Sequence, residues 1–160
     1  MAVDNQEFKN ALKMWASGVA VVTANSEQGE QGMTVTSFTS VSMDPPQILV
    51  CVNGEAETGA IISSGDAFAV NVLSAEQEQV SNAFAGGSSM EDRFKNVAWK
   101  KGALGLPVFD DALVSMECTL VEKVKAGSHW ILIGEIQKTQ VKEGDPVLYF
   151  HSGYRRVAAA

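Results

Sequence analysis

The chain has 160 residues, of which 46% are hydrophobic and 19% are charged, a globular balance that argues against disorder. The net charge of −7 argues against a nucleic-acid-binding protein, because binding phosphates requires a basic face. No apolar run approaches the ~20 residues of a membrane span, and the N-terminus lacks a signal-peptide pattern. We therefore expect one cytoplasmic domain over residues 1–160 with no membrane contact.

The predicted elements begin with a helix and continue mainly as strands. Apolar residues at helical spacing over residues 8–16 predict a helix that ends at Gly18, and Asp4 followed by Glu7 resembles a capping box at its start. Strands are predicted for residues 19–24, 33–43, 47–52, 67–73, 113–121, 130–141 and 147–150. Short helices are predicted for residues 55–64 and after Ser74, whereas residues 86–105 form an irregular candidate functional loop. This order predicts an antiparallel barrel, closed or nearly closed, with peripheral helices.

Residues 33–43 are unusual because they carry many hydroxyl groups. Six of the nine positions from Thr34 to Ser42 are Ser or Thr, so hydroxyls fall on both faces of an alternating strand. Two explanations account for this pattern equally well. One is an edge strand in which Thr is favoured by its β-propensity, and the other is a strand that forms one wall of a ligand site. As a ligand wall, the hydroxyls and main-chain groups would satisfy a ring with many carbonyl and N–H groups, such as a flavin.

A second candidate is the passage from a strand into a helix that follows Cys51. Free N–H groups at a helix start attract anions, so Asn53 and Thr58 there could help to hold a phosphate. A simple helix cap at Asn53 is the commoner explanation of the same residues. The carboxylates of Glu55 and Glu57 also oppose a phosphate, because like charges repel.

Isolated residues elsewhere are weaker candidates. Arg93 could pair with a phosphate and Phe94 could cover a ring, although a solvated loop arginine is the default. His129 follows a turn and is equally explained as a surface histidine, and Tyr154 either closes a site or docks the last strand. With two distant cysteines and two histidines, neither a disulfide nor a zinc site is predicted. Dinucleotide-fold, P-loop, nucleophile-elbow and metalloprotease motifs are all missing from the sequence.

Several stretches, taken in order and with their spacing, resemble the flavin reductase family. This family has the FMN-binding split-barrel fold and includes the small reductase components of two-component monooxygenases. The stretches that carry the resemblance are residues 8–12, 17–23, 32–42, 44–46, 68–73, 92–94, 134–136 and 149–155. The resemblance therefore covers nearly the whole chain.

The resemblance implies a fold and an activity. The implied fold is mainly β, a six-stranded antiparallel split β-barrel with peripheral short α-helices, usually paired as a homodimer. The implied activity is the transfer of a hydride from NADH or NADPH to FMN or FAD, which supplies reduced flavin to a partner monooxygenase. The flavin and the nicotinamide carry this chemistry, so few catalytic side chains and no metal are expected.

The resemblance also implies which residues form the site. The implied flavin-binding residues are Thr34, Thr36, Ser37, Ser40, Val41, Ser42, Cys51, Val52, Asn53, Thr58, Arg93, Phe94 and Tyr154. Within this set, the strand from Thr34 to Ser42 lines the ring, and residues 51–53 flank the ring and ribityl chain. Thr58 is implied to face the phosphate, and residues 93–94 to lie near the flavin tail or the dimer seam. His129 is implied to lie near the nicotinamide.

Two other functions remain open on the sequence. A flavin-binding electron carrier or storage protein would have the same hydroxyl-rich strand and the same fold, but it would not catalyse flavin reduction. A structural or interaction barrel without a ligand would share the fold alone. The residues also leave open the choices between FMN and FAD, between NADH and NADPH, and among partner monooxygenases.

Overall fold

The computed structural model describes residues 2–159, which contain twelve β-strands and four short α-helices. The strands are β1 (Ser17–Gly18), β2 (Ala20–Ser26), β3 (Gly29–Val35), β4 (Phe38–Met43), β5 (Pro46–Asn53), β6 (Ala67–Val72), β7 (Trp99–Lys101), β8 (Pro107–Phe109), β9 (Val114–Ala126), β10 (His129–Val141), β11 (Val147–Phe150) and β12 (Gly153–Arg156). The helices are α1 (Asn5–Leu12), α2 (Glu57–Ser64), α3 (Glu78–Phe84) and α4 (Met90–Lys95), and a 3-10 helix lies at Ala75–Gln77.

Seven strands form one antiparallel sheet, in the order β3-β2-β6-β9-β10-β5-β4. The edge strands β3 and β4 are consecutive in the chain and are separated only by Thr36 and Ser37. The two edges of the sheet must therefore meet at this point, which curls the sheet into a barrel. No ladder joins β3 to β4 within the described residues, so the barrel stays split along this seam.

The prediction of a mainly β, antiparallel split barrel with peripheral helices is confirmed, with one difference in the strands. Residues 33–43 were predicted as one strand, whereas the chain breaks at Thr36 and Ser37 because it passes there from one sheet edge to the other. If β3 and β4 are counted as one bent strand, the barrel has the expected six. The other strands form a three-stranded sheet in the order β1-β11-β12 and a hairpin of β7 and β8.

Alternating apolar residues of the strands fill the barrel. On β5, Ile48, Val50 and Val52 are buried, while the residues between them are half-buried on the outer face. The interior cluster also contains Phe68 and Leu132. Because these buried side chains pack together inside the barrel, a binding site is expected on its outer surface or at its ends.

The irregular stretch over residues 86–105 is more ordered than predicted. It contains helix α4 and strand β7, and β7 pairs with β8 to form a hairpin. This hairpin covers the outer side of the barrel, where Leu106 and Val108 pack on Ala69 of β6. Within the stretch itself, Phe94 is buried and Trp99 packs against it in a second apolar cluster that includes Val21 of β2, so the stretch contributes to the core.

Helix α1 begins as predicted and ends earlier. Asp4 Oδ1 accepts the main-chain N–H groups of Gln6 and Glu7, both at 2.8 Å, so the predicted capping box is present. The helix ends at Leu12 rather than near Gly18, because Ser17 and Gly18 pair with β11 as strand β1. None of the residues of α1 is buried, so its apolar side is uncovered in a single chain.

Candidate functional site

The break between β3 and β4 is the centre of the candidate site. Thr36 and Ser37 are both exposed there. Ser37 is held against β5, since its carbonyl oxygen accepts the N–H of Cys51 at 3.1 Å and its Oγ donates to the carbonyl oxygen of Cys51 at 2.9 Å. These two bonds fix the path of the chain across the seam, while the hydroxyl of Thr36 stays accessible.

A cavity of about 330 Å³ lies beside Thr36 and brings together three of the predicted residues, Thr34, Thr36 and Tyr154. Ser81 of helix α3 links Thr34 to Tyr154. Its carbonyl oxygen accepts the Thr34 hydroxyl at 2.7 Å, and its Oγ lies 2.8 Å from the Tyr154 hydroxyl oxygen. The Tyr154 hydroxyl oxygen also lies 2.9 Å from Asn82 Oδ1, so its single proton is directed at Ser81 or at Asn82. Ser81 and Asn82 therefore position the site, and the sequence offered no signal for them.

The remaining predicted residues of the hydroxyl-rich segment lie on β4. Ser40 and Val41 are exposed and Ser42 is half-buried, which is the pattern of an edge strand. The pairing of β4 with β5 shifts register between Ser40 and Ser42, so Val41 occupies a bulge. The segment is thus both an edge strand and an accessible row of hydroxyls, and the two explanations of its composition are compatible.

The end of β5 and the start of α2 adjoin His129. In the register of β5 with β10, His129 lies opposite Asn53, and its Nδ1 is 2.9 Å from the Oγ of Ser128. Asn53 Oδ1 accepts the N–H of Glu55 at 3.0 Å, while Ala56 is the N-cap of α2. The explanation of Asn53 as the helix cap is therefore wrong, because its side chain stabilises the preceding turn instead.

Two of the predicted binding residues have buried side chains. Val52 is 0% exposed and belongs to the interior cluster of the barrel, so only its main chain is available on the outer face. Phe94 is 8% exposed, and its ring packs 5.1 Å from that of Phe84 and 5.2 Å from that of Trp99. Most of the Phe94 ring is therefore covered by other rings of the protein, and its contact with a ligand ring stays a prediction.

The remaining two predicted residues lie on helices α4 and α2. Arg93 of α4 is half-buried, and its Nε donates to the carbonyl oxygen of Ser88 at 3.1 Å. Thr58 is half-buried in the first turn of α2, beside Glu57. Neither residue lines the cavity that contains Thr36.

Known proteins with this sequence pattern and fold are flavin reductases. The model of the flavin reductase like domain matches residues 12–158. The chain belongs to this flavin reductase family. The reductase component of 4-hydroxyphenylacetate 3-monooxygenase from Pseudomonas aeruginosa is 36% identical over 155 residues, which cover 95% of this chain and 91% of that protein.

Other members of the family extend the comparison. A Rhizobium meliloti flavin reductase is 39% identical over 152 residues, but this chain spans about half of its length, 48%. The structure of the NADH:FAD oxidoreductase SgcE6 from Streptomyces globisporus, in complex with NAD and FAD fragments, superposes with a TM-score of 0.89 at 32% identity. That match covers 99% of this chain and 97% of the other. The flavin reductase fold therefore extends over nearly all of the chain.

The residues at the break suit a flavin ring, whose polar edge carries several acceptors and an N–H donor. The exposed hydroxyls of Thr36 and Ser40 can donate or accept, and both lie beside accessible main chain. The start of α2 suits a phosphate less well, because Glu57 lies in its first turn and Glu55 lies just before its N-cap, and both bring negative charge. Lys125 partly offsets that charge: its Nζ lies near Gly54 and 5.0 Å from the centre of the Trp130 ring.

Two further properties concern the described residues as a whole. No helix in residues 2–159 is long and apolar enough to cross a membrane. In the same part of the chain, no group of three or more His, Cys, Asp or Glu side chains is arranged to hold a metal ion.

Proposed function

We propose that this flavin reductase oxidises NADH or NADPH, reduces FMN or FAD at the break between β3 and β4, and supplies the reduced flavin to a partner oxygenase. The observation that carries the proposal is the accessible set of hydroxyls at the seam of the barrel, next to a cavity of about 330 Å³. The Pseudomonas aeruginosa relative is itself a reductase component of a monooxygenase, which supports a partner of that class.

The residues of the chain bind and orient rather than react. When bound, the flavin accepts a hydride from the nicotinamide, and this chemistry needs no side-chain nucleophile. Two hydrogen bonds between Ser37 and Cys51 keep the seam rigid, so the hydroxyl of Thr36 is held in place before a ligand arrives. His129, exposed at the start of β10, is positioned to donate a hydrogen bond to the carboxamide of a nicotinamide near Asn53.

Apolar surface on the outer face of the barrel supports a homodimer. The outer face of the barrel carries the cross-strand apolar pairs Ile131 with Cys51 and Ile133 with Leu49, all half-buried, and Val124 beside them is 42% exposed. Obligate dimers commonly bury more than ~2,000 Å² of largely apolar surface. Sedimentation at micromolar concentration should give twice the chain mass of 17.0 kDa. A species of 17.0 kDa would refute the dimer.

A cytoplasmic location is consistent with the cysteines. Cys51 and Cys118 are free, and Cys51 is half-buried at the outer face of β5. A free, partly accessible thiol is usual in a reducing compartment.

Flavin binding at the seam is tested with Ser37→Leu. The substitution places a bulky apolar group where a flavin edge is proposed, and it removes only one hydrogen bond from an exposed residue, so the fold should survive. Flavin fluorescence titration should show at least a tenfold loss of affinity for FMN and FAD. Ser88→Leu is the matched control, because Ser88 is likewise an exposed serine but lies before α4, outside the segment that joins β3 to β4.

Reductase turnover is tested separately from binding. The wild-type protein should oxidise NADH or NADPH only when FMN or FAD is added as acceptor. Tight flavin binding without such turnover would instead support an electron carrier or storage protein. Binding of neither flavin would leave only a structural barrel.

A further inference from the structure

A buried carboxylate lies on the outer side of the barrel and does not line the cavity proposed for flavin. Glu117 of β9 is only 1% exposed, because the tip of the β7–β8 hairpin covers it. In the sheet it lies between Ala69 of β6 and Lys138 of β10, yet the salt bridges found within residues 2–159 do not include it. A buried charge without a paired cation depends on hydrogen bonds for its stability.

Main-chain N–H groups at the tip of the hairpin supply those hydrogen bonds. The N–H of Ala103 donates to Oε1 of Glu117 and the N–H of Leu104 donates to Oε2, both at 2.7 Å. The side chains of Ala103 and Leu104 are exposed, so the loop turns its main chain towards the barrel at this point. Each carboxylate oxygen has its own donor, and two consecutive N–H groups of a turn form a concave anion site.

The loop is shaped around the carboxylate. A Cβ atom at Gly102 would collide with both oxygens of Glu117, so only glycine fits at this position. Gly105 closes the turn with a φ angle of 76°, which residues with side chains rarely adopt. Its carbonyl oxygen accepts Nδ2 of Asn25 at 2.7 Å, which adds a second polar contact between the tip and the barrel. The turn and its two N–H donors therefore match one carboxylate group.

We propose that residues 102–104 form a carboxylate-binding site, that Glu117 is its intramolecular ligand, and that this contact holds the β7–β8 hairpin closed on the barrel. An ionised carboxylate suits the site because it accepts from both N–H groups, whereas a neutral amide of the same shape has only one oxygen. The hairpin begins at Trp99, whose ring packs 5.2 Å from that of Phe94 in α4. Opening of the hairpin would therefore also loosen the helix that carries Arg93.

The first test is Glu117→Gln. The amide keeps the shape of the side chain, but its NH₂ group must face one of the two N–H donors, which then loses its acceptor. In native-state hydrogen exchange, the N–H groups of Ala103 and Leu104 should exchange about 10- to 100-fold faster than in the wild-type protein. Glu122→Gln is the matched control, since Glu122 is an exposed glutamate on the same strand, and it should leave these rates unchanged.

The urea dependence of exchange distinguishes a hairpin that opens by itself from a protein that unfolds as a whole. Local opening exposes little surface, so exchange of the two tip N–H groups should depend weakly on urea. Amides of the ladder between β2 and β6 should depend on it steeply, because they exchange through global unfolding.

The second test is rescue of Glu117→Ala by a free ion. The substitution removes Cγ and the carboxylate, which are the atoms of one acetate ion, so the emptied site should bind acetate. Excess acetate should restore most of the lost protection of the Ala103 and Leu104 N–H groups by mass action. Acetamide, which has the same shape without the charge, and sodium chloride at equal ionic strength should not. If the variant folds only in acetate, recovery of its circular dichroism signal is the corresponding readout.

Four results would overturn the proposal. They are wild-type exchange rates in Glu117→Gln, a steep urea dependence for the tip N–H groups, no rescue of Glu117→Ala by acetate, and rescue by acetamide or chloride equal to that by acetate. The wild-type protein should not respond to acetate, because Glu117 already fills the site. None of these measurements needs flavin or nicotinamide, so their outcome is separate from that of the proposed reductase function.

Discussion

Replacing Asn71 with Ala should destabilise the protein more than any substitution of an exposed polar residue. Asn71 lies on β6, is 0% exposed and links the barrel to the hairpin that covers it. Its Oδ1 accepts the N–H of Phe109 at 3.0 Å and the hydroxyl of Ser115 at 2.8 Å. Its Nδ2 donates to Thr23 Oγ1 at 3.2 Å. One side chain therefore satisfies groups on three other strands.

The magnitude follows from the groups that lose their partner. Without Asn71 Oδ1, the buried N–H of Phe109 and the buried hydroxyl of Ser115 each lose an acceptor, at a cost of about 1–3 kcal/mol apiece. A small cavity adds to this cost. We expect the free energy of unfolding to fall by about 3–5 kcal/mol, a large share of the ~5–15 kcal/mol of a typical domain. The melting temperature should fall by roughly 10 °C.

The assay is urea unfolding followed by circular dichroism, with Asn25→Ala as the matched control. Asn25 also donates from Nδ2, to the carbonyl oxygen of Gly105 at 2.7 Å, but it is exposed, so water can replace the lost bond. The control should lose less than about 1 kcal/mol. Equal losses in the two variants would refute the reasoning, because burial would then contribute nothing to the cost.

Two further predictions concern the site and the core. His129→Ala should lower kcat/KM for NADH or NADPH about tenfold and leave flavin affinity unchanged, as measured by steady-state kinetics and flavin titration. An unchanged kcat/KM would remove His129 from the nicotinamide site. Burial, reinforced by Glu117, raises the pKa of the Cys118 thiol to about 12 from an ordinary value of 9.0. Between these values the unfolded chain loses this proton before the folded one, so the free energy of unfolding should fall as pH rises, by up to about 1.4 kcal/mol per pH unit. Cys118→Ala should show a shallower pH dependence in alkaline urea titrations, and an identical slope would contradict the assignment.

The resemblance to flavin reductases was visible in the sequence because it depends on several short stretches in a fixed order. The comparisons confirm that family and the reductase class. The individual site residues stay predictions. Thr34, Thr36 and Tyr154 line one cavity, and Ser81, which is 47 and 73 positions away from Thr34 and Tyr154, links those two residues. A pattern of neighbouring residues in the sequence cannot predict a contact between residues that lie so far apart along the chain.

Local features of the fold were determined by the sequence alone. The capping box at Asp4 is present as predicted and a helical segment starts after Ser74 as predicted, because each start depends on residues only three positions apart. The alternation of buried residues on β5 follows directly from the two-residue period of a strand. These features depend on near neighbours, so the residue types were enough to predict them.

Other features were decided by tertiary structure. The break at Thr36 exists because the two edges of the sheet meet there, and the sequence of β3 and β4 alone reads as one strand. The stretch over residues 86–105 reads as a loop and instead contains a helix and one strand of a hairpin, because its apolar side chains Phe94 and Trp99 pack with residues from distant segments such as Val21 of β2. The groove that Lys13 and His151 line between α1 and the turn after β11 also forms by tertiary packing, because it joins segments from opposite ends of the chain. Such contacts depend on how distant segments pack, and no periodicity within one segment encodes them.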